Sequence, residues 1–225
     1  MSRTKINDAI TLIMKWWKNG NIRDFPWRRT TDPWKVLIAE VLLVQTDAPK
    51  VVKLYEEFLN KYPKPDSLAK APTSEVAEVL KPLGLYRQRA SRLKKLAEEL
   101  CRKYCGQIPS SIEALKRLPG VSDYIASAVL LFAFGKKVTL LDVNIARILY
   151  RIVLGTDPPK RYMYDSIAWR LASLVEWSAE VAYALIDFAA AVCTSKNPKC
   201  AVCTIAPLCE YSRGRQLIGL SNTKT

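Results

Sequence analysis

Four of the six cysteines lie close together near the C-terminal end of the sequence. Cys193, Cys200, Cys203 and Cys209 form a C-x6-C-x2-C-x5-C array. Four thiolates in so short a segment suit a [4Fe-4S] cluster or a structural zinc ion, since both take tetrahedrally disposed sulfur ligands. Zinc sites usually pair two short knuckles, and only Cys200 and Cys203 form one here, so the spacing favours a cluster modestly. Disulfides are less expected in an intracellular chain.

A carboxylate that could carry acid–base chemistry precedes a predicted helix. The sequence contains no His, so Ser-His-Asp mechanisms, Cys-His mechanisms and His-ligated metal sites are excluded. Asp142 lies just before an apolar stretch beginning at Val143, and a role as helix N-cap would by itself account for it. It also follows Tyr124 by eighteen residues, at the far end of a helix that could bring a bound phosphate and this carboxylate to one cleft.

A second carboxylate, Glu40, interrupts the apolar run from Val36 to Val44. That run predicts a helix buried on most sides. Burial disfavours the ionised form of a carboxyl group, so we expect a raised pKa and a role as proton donor or hydrogen-bond partner. The alternative is a buried structural Glu with a partner at a helix end.

The segment Leu118-Pro119-Gly120-Val121-Ser122 predicts a tight turn between two helices, because Pro cannot continue a helix and Gly readily adopts positive φ. The exposed amides at the start of the following helix would bind a phosphate through hydrogen bonds and the helix dipole. A plain turn between two packed helices accounts for the pentapeptide equally well.

Helical periodicity extends along most of the chain, and no stretch alternates convincingly with period two. We therefore predict an all-α protein. Ser110 and Glu113 have the spacing of a capping box, which places a helix start at Ser110. The tail over 211–225 is polar, and we expect it to be loosely ordered. The predicted helices span 6–17, 34–45, 50–62, 74–80, 86–104, 110–118, 123–134, 143–153, 162–174 and 179–193.

The charge balance indicates a polyanionic partner. The chain carries 35 Lys and Arg against 21 Asp and Glu, a net charge of +14, which points to nucleic acid first and leaves a basic enzyme without that role as the alternative. The longest uncharged apolar stretch, 124–135, is too short to cross a bilayer, and Lys15 interrupts the N-terminal apolar segment. We expect a cytoplasmic protein with no membrane partner.

Taken together, the cysteine array, the Leu-Pro-Gly-Val-Ser hairpin and the Asp142 element resemble the endonuclease III superfamily of helix-hairpin-helix DNA glycosylases. The resemblance covers almost the whole chain in the expected order and separations. Within the superfamily, the segments 23–28, 32–34 and 40–46 resemble the branch that contains adenine DNA glycosylases and thymine-DNA mismatch glycosylases.

The resemblance implies two helical domains with double-stranded DNA bound in a cleft between them. A six-helix domain with the helix-hairpin-helix would span 25–135, and a discontinuous iron-sulfur domain would span 1–24 and 136–225. It further implies a [4Fe-4S] cluster on the four cysteines, Asp142 as the catalytic carboxylate, and Asn144 as a residue that orients Asp142 or binds the backbone. We expect a monomer associated with the nucleoid.

The resemblance also implies which residues contact DNA. Gln45 and Leu85 would wedge into the duplex, with Gln45 filling the gap left by the flipped base. Asp123 departs from the family pattern and places a negative charge close to the expected phosphate. The phosphate contacts at the hairpin would come from Leu118, Gly120, Val121 and Ser122.

Tyr124 distinguishes among the members of this superfamily. Bifunctional members carry a Schiff-base Lys at this position, and a phenol cannot form the imine. Adenine enzymes carry a small Ser there and a second domain, whereas this chain stops soon after Cys209. We expect a monofunctional, mismatch-specific enzyme that hydrolyses the N-glycosidic bond of thymine or uracil opposite guanine, with Tyr124 against the flipped pyrimidine.

Two alternatives to this interpretation stay open. The first is an adenine DNA glycosylase acting on adenine opposite 8-oxoguanine or guanine, which Glu40 and the residues after it favour and Tyr124 opposes. The second is a non-catalytic iron-sulfur DNA-binding module, which the presence of both Asp142 and Glu40 opposes.

Overall fold

The structure, a computed structural model, describes residues 2–214. Its regular elements are all helical, and no strand occurs in this range, which confirms the predicted all-α class. Residues 215–225, which make up most of the predicted polar tail, lie outside the described range. The α-helices are α1 (Ser2–Lys18), α2 (Pro33–Leu43), α3 (Ala48–Lys61), α4 (Pro65–Lys70), α5 (Thr73–Leu80), α6 (Tyr86–Tyr104), α7 (Ile112–Lys116), α8 (Asp123–Phe132), α9 (Val143–Val153), α10 (Ser166–Ala172) and α11 (Ala179–Ala191).

The chain divides into two compact units, of which the first comprises Asp24–Lys136. This unit contains α2 to α8. Helix α6 packs against α4 and α5, and α2 packs against α3 and α8. Seven of the eleven residues of α2 are buried, which confirms the prediction that this helix is covered on most sides.

The second unit comprises Met1–Arg23 and Lys137–Thr225. Within it, α9 packs against α1, α10 and α11. Asp187 on α11 is 1% exposed and accepts hydrogen bonds from Trp17 Nε1 at 2.8 Å and from Arg23 Nε at 2.6 Å. Because a buried carboxylate is stable only when its charge is paired and hydrogen-bonded, these contacts hold the end of α1 against α11.

Side-chain caps define where several helices begin. Asp32, Ser122, Asp142 and Asp165 each accept a hydrogen bond from the backbone N–H three residues later, at distances of 3.0, 3.2, 2.7 and 2.7 Å. Each bond satisfies one of the N–H groups that a helix start leaves without an intrahelical partner. The cap at Asp165 also interrupts the predicted helix over 162–174, which consists of a 3-10 turn, Tyr162–Tyr164, followed by α10.

The predicted capping box at Ser110 is wrong. Helix α7 begins at Ile112, and the cap is Ser111, whose Oγ accepts a hydrogen bond from the Ala114 N–H at 3.2 Å. Glu113 is then the second helical residue, one position too early to form a capping box. The carbonyl of Ser110 accepts a hydrogen bond from the Lys136 ammonium group instead. Both adjacent serines carry a hydroxyl group that can cap a helix, and only the position of Glu113 favoured Ser110 in the sequence.

Helix α4 has no counterpart among the predicted helices. Its six residues make fewer than two turns, which is too short for apolar periodicity to be visible. Among the described residues, no helix has both the length and the apolarity that a bilayer-spanning segment requires.

The two serines before α7 provide a matched test of where this helix begins. Ser111→Ala removes the hydroxyl that accepts the Ala114 N–H, so we expect the free energy of unfolding to fall by about 1 kcal/mol. Ser110→Ala leaves that hydrogen bond intact and should change the same quantity by less than about 0.5 kcal/mol. Urea unfolding followed by circular dichroism measures both variants, and the reverse ranking would place the start at Ser110.

Candidate functional site

Asp142 lies at the N-terminus of α9 with both carboxylate oxygens engaged. Oδ1 accepts the hydrogen bond from the Ile145 N–H at 2.7 Å, and Oδ2 accepts one from Asn144 Nδ2 at 2.9 Å. The side chain is half-buried. The sequence prediction of a cap at this position is confirmed, and the two bonds leave the carboxylate a single well-defined orientation.

Opposing effects act on the protonation of Asp142. Burial is the larger effect and raises its pKa above the ordinary value, while the Ile145 N–H, the Asn144 amide and the charge of Arg147 lower it. Burial disfavours the ionised form, whereas each hydrogen bond to the carboxylate favours it. Burial, and to a smaller extent the charge of Asp142, raises the pKa of the neighbouring Tyr162. The group beside the carboxylate is therefore a protonated phenol.

A buried guanidinium group connects Asn144 to the cysteine segment. Arg147, 6% exposed, donates from one terminal nitrogen to Asn144 Oδ1 at 3.0 Å and from Nε to the carbonyl oxygen of Cys193 at 2.8 Å. Hydrogen bonds therefore run without a break from Asp142 through Asn144 and Arg147 to the first cysteine. Arg147 is not among the site residues predicted from the sequence, although a basic residue on the apolar face of a helix, three residues after Asn144, is a signal of such a role.

The four cysteines of the array line one cavity of about 330 Å³. The pKa of Cys203 is raised to about 11, mainly by burial and also by the charges of the other three cysteines. The structure thus brings together the four thiols that the sequence spacing predicts.

Arg151 organises the segment that carries these cysteines. It is 1% exposed and donates to the carbonyl oxygens of Thr194 at 2.7 Å and Ser195 at 3.0 Å, while its Nε donates to Asp157 at 2.7 Å. Its own carbonyl accepts a hydrogen bond from the Cys209 thiol at 3.3 Å. Helix α9 therefore carries both the Asp142 cap and the main support of the cysteine segment.

Within residues 2–214, no group of three or more Cys, Asp or Glu side chains could hold a metal ion. A zinc site would need its sulfur atoms about 2.3 Å from one common centre. In a [4Fe-4S] cluster each of the four thiolates binds a different iron, so four cysteines distributed around one cavity fit such a cluster better than a single ion.

Glu40 and Tyr124 belong to the other unit, Asp24–Lys136. Glu40 lies on α2 and is 7% exposed, as expected for an acid within a buried helix. Tyr124 is the second residue of α8 and is half-buried. Helices α2 and α8 pack against each other, so the two predicted residues lie on contacting helices.

The hairpin between α7 and α8 has the conformation that its sequence predicts. Gly120 has φ of +80°, which non-glycine residues rarely adopt, and the Val121 N–H donates to the Leu118 carbonyl at 3.2 Å. Asp123 forms an ion pair with Lys116 across the turn. This pairing offsets the negative charge that the sequence places at the start of α8.

Gln45 and Leu85 share an unusual backbone conformation. They have φ of +52° and +49°, in the left-handed region that costs a residue with a Cβ roughly 1 kcal/mol. Both are exposed, Leu85 to 62% of its surface. Gln45 lies in the turn after α2 and Leu85 immediately precedes α6, so both side chains are exposed next to a helix end.

Comparison with known proteins places this chain in a family. Residues 38–172 match the family described as "HhH-GPD superfamily base excision DNA repair protein". The chain belongs to this family.

Two relatives match this chain over nearly their whole length, and a third matches over about two thirds of its length. The chain is 43% identical to a thymine/uracil-DNA glycosylase of Pyrobaculum aerophilum, covering 96% of this chain and 95% of the relative. It is 42% identical to a thymine-DNA glycosylase of Aeropyrum pernix, covering 88% and 92%. An adenine DNA glycosylase of Mycobacterium tuberculosis is 33% identical, with 87% of this chain and 65% of the relative covered.

The fold is similar to that of a solved structure described as a thermostable thymine-DNA glycosylase. The two chains have a TM-score of 0.84 and 36% sequence identity, and the similarity covers 94% of this chain and 98% of the other.

The hydrogen bond from Asn144 to Asp142 can be tested by titration. Asn144→Ala removes a donor that favours the ionised carboxylate, so we expect the pKa of Asp142 to rise further above its ordinary value. Carbon-13 NMR of labelled Asp carboxyl groups measures this. Asp165, which caps α10 without any bond to Asn144, is the internal control and should titrate as in the parent. An unchanged Asp142 titration would mean that Asn144 does not hold the carboxylate.

Proposed function

We propose that this protein is a monofunctional DNA glycosylase that hydrolyses the N-glycosidic bond of thymine or uracil mispaired with guanine. The observation that carries the proposal is the Asp142 carboxylate, half-buried and held by Ile145 and Asn144, in a chain that has Tyr124 instead of an amine nucleophile. The thymine and uracil substrates of the relatives in Pyrobaculum aerophilum and Aeropyrum pernix support the choice of base.

Asp142 carries the chemical step in this proposal. Breaking the bond between base and sugar develops positive charge on the sugar, as in glycoside hydrolysis through an oxocarbenium-like transition state. The ionised carboxylate stabilises that charge and takes a proton from the attacking water, whose oxygen bonds to the sugar carbon as the base leaves with the bonding electrons. Asn144 keeps the carboxylate oriented and favours its ionised form.

Tyr124 and Glu40 would act on the leaving base. A tyrosine ring stacks on a pyrimidine and leaves less room for a purine, and its phenol cannot form the imine through which bifunctional enzymes cut the strand. Glu40, which lies on α2 and is buried, would hold water or the imide edge of the base through a hydrogen bond.

Base extrusion precedes this chemistry. Flipping a nucleotide out of the duplex costs a few kcal/mol, and this cost is lowest for a mispaired base. The weak pairing of a mismatch therefore contributes to the selectivity of the enzyme for it. Gln45 and Leu85, exposed at the ends of α2 and α6, would enter the space that the nucleotide vacates. The hairpin amides at the start of α8 would bind a backbone phosphate, through Leu118, Gly120, Val121 and Ser122.

The net charge of +14 supports binding to the DNA backbone, and with it an association with the nucleoid. We also propose that the active species is a monomer.

We further propose that Cys193, Cys200, Cys203 and Cys209 hold a [4Fe-4S] cluster. Their arrangement around one cavity supports this assignment. When bound, the cluster would cross-link the segment after α11 through its four thiolates. The chain's own contribution is the support from Arg151, which holds the carbonyl groups of Thr194 and Ser195.

A second candidate is an adenine DNA glycosylase. The buried Glu40 favours it, since an enclosed carboxylic acid is suited to protonating a purine nitrogen. Tyr124 opposes it by its bulk, and the adenine enzyme of Mycobacterium tuberculosis is less similar to this chain than the thymine/uracil enzymes are.

The first test is base release under single-turnover conditions from end-labelled duplexes containing G·T, G·U, G·C or 8-oxoguanine·A. We expect strand cleavage at T or U opposite G only after alkali, and a fall of at least about 100-fold in Asp142→Asn, which lacks the ionisable carboxyl group.

The control for that test is Asp165→Asn, which changes another N-cap aspartate of the same unit. It should retain the parent rate, because Asn caps a helix as well as Asp does. Release of adenine opposite 8-oxoguanine would favour the second candidate. An inactive parent that binds DNA as tightly as Asp142→Asn would indicate a non-catalytic module.

The role of Tyr124 can be separated into stacking and hydrogen bonding. Tyr124→Ser removes the ring, and we expect uracil release from G·U to fall by about 10- to 100-fold, since base stacking contributes about 1–3 kcal/mol. Tyr124→Phe keeps the ring and should stay within about 10-fold of the parent. The ratio of uracil to adenine release is measured for each variant. If Ser and Phe have equal effects, the hydroxyl group and not the ring contacts the base.

A further inference from the structure

Two segments of the Asp24–Lys136 unit converge on one side chain. Gln45 follows α2 and Leu85 precedes α6, and both have the left-handed backbone conformation. Arg89, one turn into α6, lies between the two segments. With Gln45 and Leu85, it lines a largely apolar cavity of about 610 Å³.

The guanidinium group of Arg89 bonds to both segments. Its Nε donates to the Gly84 carbonyl at 3.1 Å, and one terminal nitrogen donates to the Val44 carbonyl at 2.9 Å and to Thr46 Oγ1 at 2.7 Å. The other terminal nitrogen lies 3.5 Å from the Leu42 carbonyl. All hydrogen bonds of this side chain within the described residues therefore go to carbonyl or hydroxyl oxygens, and none goes to a carboxylate.

Two of the acceptor carbonyl groups lie immediately before the two left-handed residues. The Val44 carbonyl belongs to the peptide bond that enters Gln45, and the Gly84 carbonyl belongs to the one that enters Leu85. Since a peptide unit is planar, holding its oxygen also holds the N–H and the direction of the chain at the next residue. One rigid, planar guanidinium group thus constrains the peptide units that precede Gln45 and Leu85.

We propose that Arg89 is a positioning residue that sets the distance and direction of Gln45 and Leu85, so that both enter the duplex together when the target nucleotide leaves it. The inference rests on the proposed function, because only an enzyme that extrudes a base needs two such inserted side chains. Lys cannot replace Arg in this role: a single ammonium group lacks the planar fork that reaches both segments.

Arg92 provides a matched control. It lies one turn further along α6, is exposed and lines the same cavity. Arg92→Ala removes one positive charge from the same helix, as Arg89→Ala does, but breaks none of the bonds to Gly84 or Val44. A difference in activity between the two variants therefore measures the effect of the Arg89 hydrogen bonds and not the effect of the lost charge.

The test compares uracil release from two single-turnover substrates, a G·U duplex and the same uracil in a short unpaired bubble. In Arg89→Ala we expect release from G·U to fall by about 10- to 100-fold, since small misplacements of positioning groups have effects of this size. Release from the bubble should stay within about threefold, because an unpaired base needs little extrusion. Arg92→Ala should stay within about threefold of the parent on both substrates.

Arg89→Lys keeps the charge and serves as the second variant, with thermal unfolding recorded for every protein. We expect it to show the same selective loss on G·U as Arg89→Ala. Equal losses on both substrates, or full activity of Arg89→Lys, would overturn the inference; if Arg89→Ala fails to fold, Arg89→Lys alone decides. A parent that releases uracil from neither substrate would instead contradict the proposed function.

Discussion

The arrangement around Asp142 depends on the need to satisfy one buried guanidinium group. Arg147 is almost fully enclosed, and a buried cation without hydrogen-bond acceptors would be strongly destabilising. Its acceptors are Asn144 on its own helix and the carbonyl groups of Ala189 and Cys193 near the end of α11. The orientation of Asn144, and through it that of Asp142, is therefore coupled to the folding of the cysteine segment. A carboxylate at a helix start and a loop more than forty residues away behave as one polar network.

The structure also changes the interpretation of the basic charge. Of the 35 Lys and Arg residues, several act inside the protein. Arg147 and Arg151 are buried and hold carbonyl groups of the cysteine segment, and Arg89 bonds carbonyl groups next to Gln45 and Leu85. These cations organise the backbone and are not free to neutralise phosphates. The salt dependence of DNA binding should thus reflect fewer contacts than the sequence charge suggests.

The sequence predicted those parts of the site that depend on local pattern. The cap at Asp142, the turn at Gly120 and the burial of Glu40 follow from neighbouring residues, and the structure agrees. The position of Arg147 on an apolar helix face signals its burial, but the partners of Arg89 and Arg147 were not predictable. Most of their acceptors are backbone carbonyl groups, which every residue has and which carry no sequence signal. The one-residue error at Ser110 has a different cause, because two adjacent residues offer the same hydroxyl group as a cap.

The left-handed backbone at Gln45 and Leu85 restricts which residues evolution or engineering can place there. The proposed insertion into a duplex needs a long side chain, which excludes Gly, although Gly suits the backbone best. A branched Cβ in this conformation is a genuine outlier, which excludes Val, Ile and Thr. Only long side chains without a branch at Cβ meet both requirements, and Gln and Leu are of this kind. Codon randomisation at these two positions should therefore return a narrow set of functional residues, with Met as the nearest apolar substitute for Leu.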